Sequence, residues 1–171
     1  MEFYDILRER HSVRRFTDKR VESKKVHAIV DATICAPSAG NMQSYKIYIV
    51  KSQDAKENLV PAASYQEFIG KTPLIMVFCA DQKRAETKYE GRGFELYSMQ
   101  DATIACTYAQ LAATNEGLSS VWVGGFDPLE VSRILRLGEY EVPVAMLAIG
   151  YPAEAPRVTG RRPVSEMVKE I

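Results

Sequence analysis

Apolar positions fall into blocks whose period changes along the chain. Phe3, Ile6 and Leu7 recur at helical spacing, which predicts a short helix over 2–9 that stops near Ser12. Val26, Ile29, Val30, Thr33 and Ile34 share one face of a second helix over 23–35, with Ser23 placed to cap it. "APSAGNMQS" (36–44) breaks that period with Pro37, Ser38 and Gly40 and reads as a loop. "YKIYIV" (45–50) alternates and is rich in β-formers, so it reads as a strand; 54–60 reads as a short helix. "PLIMVFCA" (73–80) is almost continuously apolar, the mark of a strand buried on both faces.

The charged stretch "DQKRAETKYEGRG" (81–93) reads as a surface loop or the start of a helix. The longest helical block covers 94–116 and ends at Gly117, a natural residue just past a helix end. Its Ala102, Ala105, Ala109, Ala112 and Ala113 leave a small-sided face that lets another helix approach closely, in this chain or in a second subunit. "SVWVGGF" (120–126) reads as a strand ending in two glycines, after which Asp127 caps a short helix with Pro128 at its first position. "VPVAMLAIGYP" (142–152) is a further buried strand. About four strands and five helices, without the regular alternation of a doubly wound sheet, predict an α+β layer fold in one domain spanning 1–171.

Charge changes this picture locally rather than globally. Lys plus Arg and Asp plus Glu are both 22, which argues against a general nucleic-acid binder. The balance makes a local excess informative, and "RERHSVRRF" (8–16) holds four arginines. Cys35, Cys79 and Cys106 are odd in number, widely spaced and set in apolar runs; they read as reduced core residues of a cytoplasmic protein, with no metal-binding spacing. The N-terminus has no signal-peptide core, and no run reaches the roughly 20 apolar residues that span a bilayer.

Four stretches carry candidate chemistry. Arg10, Ser12 and Arg14 alternate, so in an extended chain they face one side and offer two guanidinium groups and a hydroxyl to a phosphate. Charged side chains snorkelling from a helix end are the plainer alternative. The 36–44 loop carries Asn41 and Gln43, each able to donate and accept. Gly124 and Gly125 permit close approach of a flat ligand to the backbone, or simply make a tight turn. Arg161 and Arg162 form a second basic pair that either closes the same anion site or is solvated. No Ser-His-Asp or Cys-His arrangement and no carboxylate pair stands out.

In the order "RHSVRRF", "APSAGNMQS", "GLSSVWVGGFDP", "LAIGYPAEAP" and "RRPVSEMV", the chain resembles the nitroreductase family of FMN-dependent oxidoreductases over nearly its whole length. The resemblance implies a mostly antiparallel central sheet flanked by helices, a long central helix, and an intertwined homodimer with an FMN at each of two interface sites. It implies that Arg10, His11 and Ser12 meet the phosphate and ribityl chain, and that Arg14 lies near the ribityl chain and pyrimidine edge. It implies that Pro37, Ser38, Ala39 and Asn41 come from the second subunit, and that the amides of Gly124 and Gly125 face flavin N5 and O4. Arg161 and Arg162 match the C-terminal phosphate-binding position, and Gln66 a polar contact to the pyrimidine edge.

The implied chemistry is ping-pong transfer of hydride from NAD(P)H, through the flavin, to nitroaromatic, quinone or related small-molecule acceptors, with no side-chain acid or base. Dehalogenating, flavin-fragmenting or non-catalytic flavin-binding roles are the alternatives on the same fold. The chain departs from the family pattern at Gln43, Ser44 and Tyr45, where many members read Gln-Pro-Trp, and at Thr159, where some carry a lysine. The segment before the long helix is short, which implies a more open pocket.

Overall fold

A computed structural model describes all residues, 1–171. The elements run α1 (Phe3–Glu9), α2 (Ser23–Thr33), a 3-10 turn (Ala39–Asn41), β1 (Tyr45–Val50), α3 (Gln53–Ala62), α4 (Phe68–Lys71), β2 (Leu74–Asp81) and α5 (Gln82–Arg92). A π-helical turn (Gly93–Tyr97) leads into α6 (Ser98–Asn115), followed by β3 (Ser119–Val123), α7 (Pro128–Leu135), β4 (Glu141–Gly150) and α8 (Val164–Met167). The four strands form one antiparallel sheet in the order β1-β2-β4-β3. The α+β reading with an antiparallel sheet therefore holds.

Side-chain alternation along the two central strands builds two cores. Leu74, Met76 and Phe78 of β2, with Ala145, Leu147 and Ile149 of β4, face α2 and α6. Ile75, Val77 and Cys79, with Met146 and Ala148, face α3, α4 and α7 through Leu59, Ile69 and Val131. Helices thus cover both faces, and β2 needs apolar residues at every position from Leu74 to Ala80 because both faces are dry.

The structure decides between alternatives the sequence left open for α6 and for 81–93, and it corrects other expectations. The alanines of α6 turn inward: Ala105, Ala109 and Ala113 pack with α2 and the sheet of this same chain. The small face therefore serves the chain's own layers, while Thr103, Thr107 and Tyr108 are exposed. Cys79 and Cys106 are buried, but Cys35 is exposed beyond the end of α2. Ile34 is 58% exposed for the same reason, since it lies past the last turn that packs on α6. Ser23 does not cap α2; Glu22 holds that position without a side-chain hydrogen bond. The 81–93 stretch is a helix kinked at Glu90 rather than a loop. Helices outnumber the sequence estimate because the short α4 and α8 have no legible period.

Other local readings match. The Asp127 carboxylate accepts from the amides of Leu129 (2.9 Å) and Glu130 (3.2 Å), with Pro128 at the head of α7. Gly117 adopts φ +71 just past α6, where Leu118 N donates to Ala113 O at 2.9 Å. No helix is long and apolar enough to cross a membrane.

Candidate active site

The basic N-terminal stretch leaves α1 in extended backbone and joins the sheet at its free edge. Ser12 bridges Ser120 of β3, and Val13 N donates to Ser120 O at 3.1 Å. Val13 is buried between the exposed Ser12 and Arg14, while Arg10 is half-buried. The far end of the stretch is pinned beside the chain that follows β4. Thr17 N donates to Tyr151 O at 2.9 Å, Ala153 N to Arg15 O at 2.8 Å, and Glu154 accepts from the amides of Arg14 (2.8 Å) and Arg15 (3.0 Å).

Charge pairing separates the arginines. Arg8 pairs with Asp5 at 3.7 Å within α1. Arg10, Arg14 and Arg15 make no ion pair with any carboxylate of the chain. Beside Ser12, the buried Oγ of Ser120 has no hydrogen-bond partner. The unpaired guanidinium groups of Arg10 and Arg14 and the exposed Ser12 hydroxyl along one edge suit an oxyanion. His11 is half-buried within the same stretch.

The same edge strand ends at Gly124 and Gly125, both exposed. Gln66 is brought to this point by two successive left-handed residues, Ser64 (φ +54) and Tyr65 (φ +59). Its Nε2 donates to Gly125 O at 3.1 Å and to Ala63 O at 3.0 Å. Asp127 N donates to Ala62 O at 2.8 Å and ties the two loops together. A Cβ on Gly124 would sit 3.5 Å from Trp122 Nε1, ordinary contact that leaves the exposed side of the turn open. Ser120 on β3 and Gly124 just past its end are four residues apart, or about 13 Å in extended backbone.

The 37–43 loop lies elsewhere. It precedes β1 at the opposite edge of the sheet, three strand spacings or about 14 Å across from β3. Gly40 (φ +53), Asn41 (φ +58) and Gln43 (φ +49) are all left-handed. A single buried carboxylate, Asp101 of α6, holds both ends of this turn: Ala39 N donates to Oδ1 (2.9 Å) and Ser44 N to Oδ2 (3.1 Å). Burial first, and then the Asp101 charge, push the nearby Tyr45 phenol upward. Ser38 Oγ accepts from Gln43 N at 2.9 Å. The Gln43 Nε2 donates inside the loop to Asn41 O (2.7 Å) and Oδ1 (3.0 Å), which leaves its carbonyl oxygen as the group open to a ligand. From outside, Arg84 and Lys88 of α5 donate to the carbonyls of Met42 and Gly40. Pro37 and Asn41 remain exposed, and Ser38 and Ala39 are half-buried.

Arg161 and Arg162 lie in an exposed C-terminal tail. The Arg161 guanidinium meets only Thr159 and Gly160, at 3.3–3.4 Å. The fold thus gathers Arg10, His11, Ser12, Arg14, Gly124, Gly125 and Gln66 along the β3 side. It leaves Pro37, Ser38, Ala39 and Asn41 at the β1 edge and the two late arginines in the tail. Sequence reasoning missed Asp101, Glu154 and Ser120. The motifs "LAIGYPAEAP" and "GLSSVWVGGFDP" contain Glu154 and Ser120, but nothing in the sequence pointed to Asp101.

Residues 7–66 and 61–151 match the model of the nitroreductase family. The chain is 32% identical over 161 residues to an FMN reductase [NAD(P)H] of Bacillus subtilis, covering 86% of this chain and 65% of that protein. It is 28% identical over 187 residues to an NADH dehydrogenase of Thermus thermophilus, covering 94% and 91%. Among solved structures, NfrA2 of B. megaterium superposes with a TM-score of 0.90 at 30% identity, covering 97% of this chain and 72% of that one. The chain therefore spans just under two thirds of the B. subtilis protein but nearly all of the Thermus one.

Proposed function

The chain belongs to the nitroreductase family, and from that premise we propose that residues 1–171 form one FMN-binding domain that oxidises NADH or NADPH and reduces nitroaromatics, quinones or related small molecules in the cytoplasm. The observation that carries this reading is the Ser12–Ser120 bridge, which sets the segment with the unpaired arginines beside the strand that leads into Gly124 and Gly125. An elongated ligand with an anionic end and a flat end suits that edge. The B. subtilis relative is named for FMN and NAD(P)H, which supports the same cofactor here. Three free cysteines suit a reducing compartment.

Bound FMN would supply the hydride-transfer chemistry, accepting from the nicotinamide and giving to the acceptor at one shared face. The chain's part is to hold and polarise. Arg10 and Ser12, with His11 between them, would hold the phosphate. Arg14 would lend positive charge to the pyrimidine side of a bound flavin and so favour its reduced, negatively charged form. Gly124 and Gly125 present backbone to the ring, and Gln66 positions that turn through Gly125 O while keeping its own carbonyl oxygen free of intramolecular bonds. No side-chain acid or base is needed.

A second copy of the chain completes the site in this reading. Pro37, Ser38, Ala39 and Asn41 stand too far from β3 to serve the same ring, so the partner subunit supplies them. Arg161 and Arg162 reach a phosphate only if the tail leaves its own chain. That tail exposes Val158, Val164, Met167 and Val168, an apolar series suited to embracing a partner.

The test is anaerobic titration of the purified yellow protein with NADH or NADPH. Bleaching of the flavin absorbance, followed by its return on adding a quinone or a nitroaromatic, is expected. Bleaching by dithionite alone would contradict the reading.

A further inference from the structure

A second basic cluster lies outside the site described above, where the end of β1, the start of β2 and the start of α2 converge. Arg20, Lys51, Lys56 and Ser23 line a cavity of about 270 Å³, together with Asp18 and apolar wall residues. Lys56 is the unusual member. It sits on α3 and is only 7% exposed, yet no carboxylate lies within ion-pair distance of its ammonium. Its one hydrogen bond goes to Thr72 O at 2.9 Å, which leaves two of its three N–H donors without an acceptor in the chain. A carbonyl satisfies a proton but does not neutralise a buried charge.

The other two cations are also unpaired: neither Arg20 nor Lys51 joins an ion pair. The neighbouring Glu22 is already engaged by Lys19 (3.2 Å) and by the Tyr151 hydroxyl (2.7 Å). Three positive groups against the single carboxylate of Asp18 leave two net positive charges around the cavity. The first turn of α2 begins at its wall with Ser23, and no side chain caps it. Burial pulls the Lys56 ammonium below its ordinary range, partly offset by Glu57, and an anion seated beside it would reverse that pull.

We propose that Arg20, Ser23, Lys51 and Lys56 form a binding pocket for a phosphate dianion, either inorganic phosphate or the terminal phosphate of a monoester. The volume is below the roughly 300 Å³ where whole-ligand pockets begin, so it takes a phosphate group and not an entire nucleotide. The pocket is separate from Arg10, Ser12 and Arg14, which lie along β3 at the other edge of the sheet. It does not depend on the flavin reading.

Calorimetric titration of the flavin-loaded full chain, freed of excess FMN, tests it, with inorganic phosphate in one arm, adenosine monophosphate in the other, and ionic strength held fixed. One phosphate-binding event per chain is expected, at least about tenfold weaker in Lys51→Ala, which changes only an exposed side chain. Lys56→Met should weaken it as much, and Arg10→Ala should leave it unchanged. Tighter binding of the monophosphate would assign the pocket to a phosphoester, and tighter binding of phosphate would assign it to the free ion. No binding in either arm, binding indifferent to Lys51→Ala, or loss with Arg10→Ala would overturn the proposal.

Discussion

Asp101 is the residue on which the β1-side half of the site depends. Its carboxylate, 1% exposed, satisfies two backbone amides of a turn with three left-handed residues. Asp101→Ala would leave both amides without an acceptor, and each buried unsatisfied group costs about 1–3 kcal/mol. We therefore expect a fall in unfolding free energy of about 2–4 kcal/mol in urea titrations. Asp101→Asn should fall between, because its amide oxygen can serve only one of the two donors. Gly40 is constrained by both backbone and space. A Cβ there would lie 2.2 Å from the Tyr89 hydroxyl, at φ +53. Gly40→Ala should thus cost about 1 kcal/mol or more and shift the loop away from α5, seen as a lower denaturation midpoint.

At the level of elements, much was legible because periodicity and capping act locally. β1, β2 and β4 are plain in the sequence because β-branched runs and continuous apolar stretches have one cheap solution, a pleated surface buried on one or both faces. α7 is legible from Asp127 and Pro128, and Asp127→Ala should cost about 1 kcal/mol in the same titrations. Phe78, fully buried at the centre of β2, should cost about 3–5 kcal/mol when replaced by alanine. What stayed hidden depends on distant partners. Nothing near Asp101 announces a loop about 60 residues earlier in the chain, and nothing near Glu154 announces the amides of Arg14 and Arg15. The alanines of α6 show that something packs closely, but not that it is the chain's own sheet. Cys35 reads as core by its apolar neighbours, yet it falls one turn past the packed part of α2.

For the molecule as a whole, two carboxylates tie the chain's edges together and set its acid sensitivity. The hydrogen bond from Tyr151, reinforced by Lys19, holds Glu22 at about 2, against an ordinary 4.5. Glu141 is pushed up by burial, but hydrogen bonds from Lys46, Tyr48 and the Gly138 amide outweigh this and bring it down. Both groups bind protons more weakly folded than unfolded. Their contribution is therefore complete above the unfolded value and is lost as pH falls through the folded one. For Glu22 that window runs from about 4.5 to about 2. Glu22→Gln should flatten the decline of melting temperature across it, because the variant melts lower than the native chain above pH 6 and converges with it as pH falls toward 2.

In the proposed site, one sheet edge holds the phosphate of a flavin through Arg10 and Ser12 and its ring through the glycine turn. The most direct measurement is fluorescence titration of the flavin-free protein with FMN and with riboflavin, in the native chain and in Arg10→Ala. A charged hydrogen bond contributes about 1.5–3 kcal/mol, so FMN should bind at least about tenfold more tightly than riboflavin. That difference should shrink by about the same factor in Arg10→Ala, with riboflavin affinity unchanged. Equal affinity for the two flavins, or an FMN preference that survives the loss of Arg10, would contradict it.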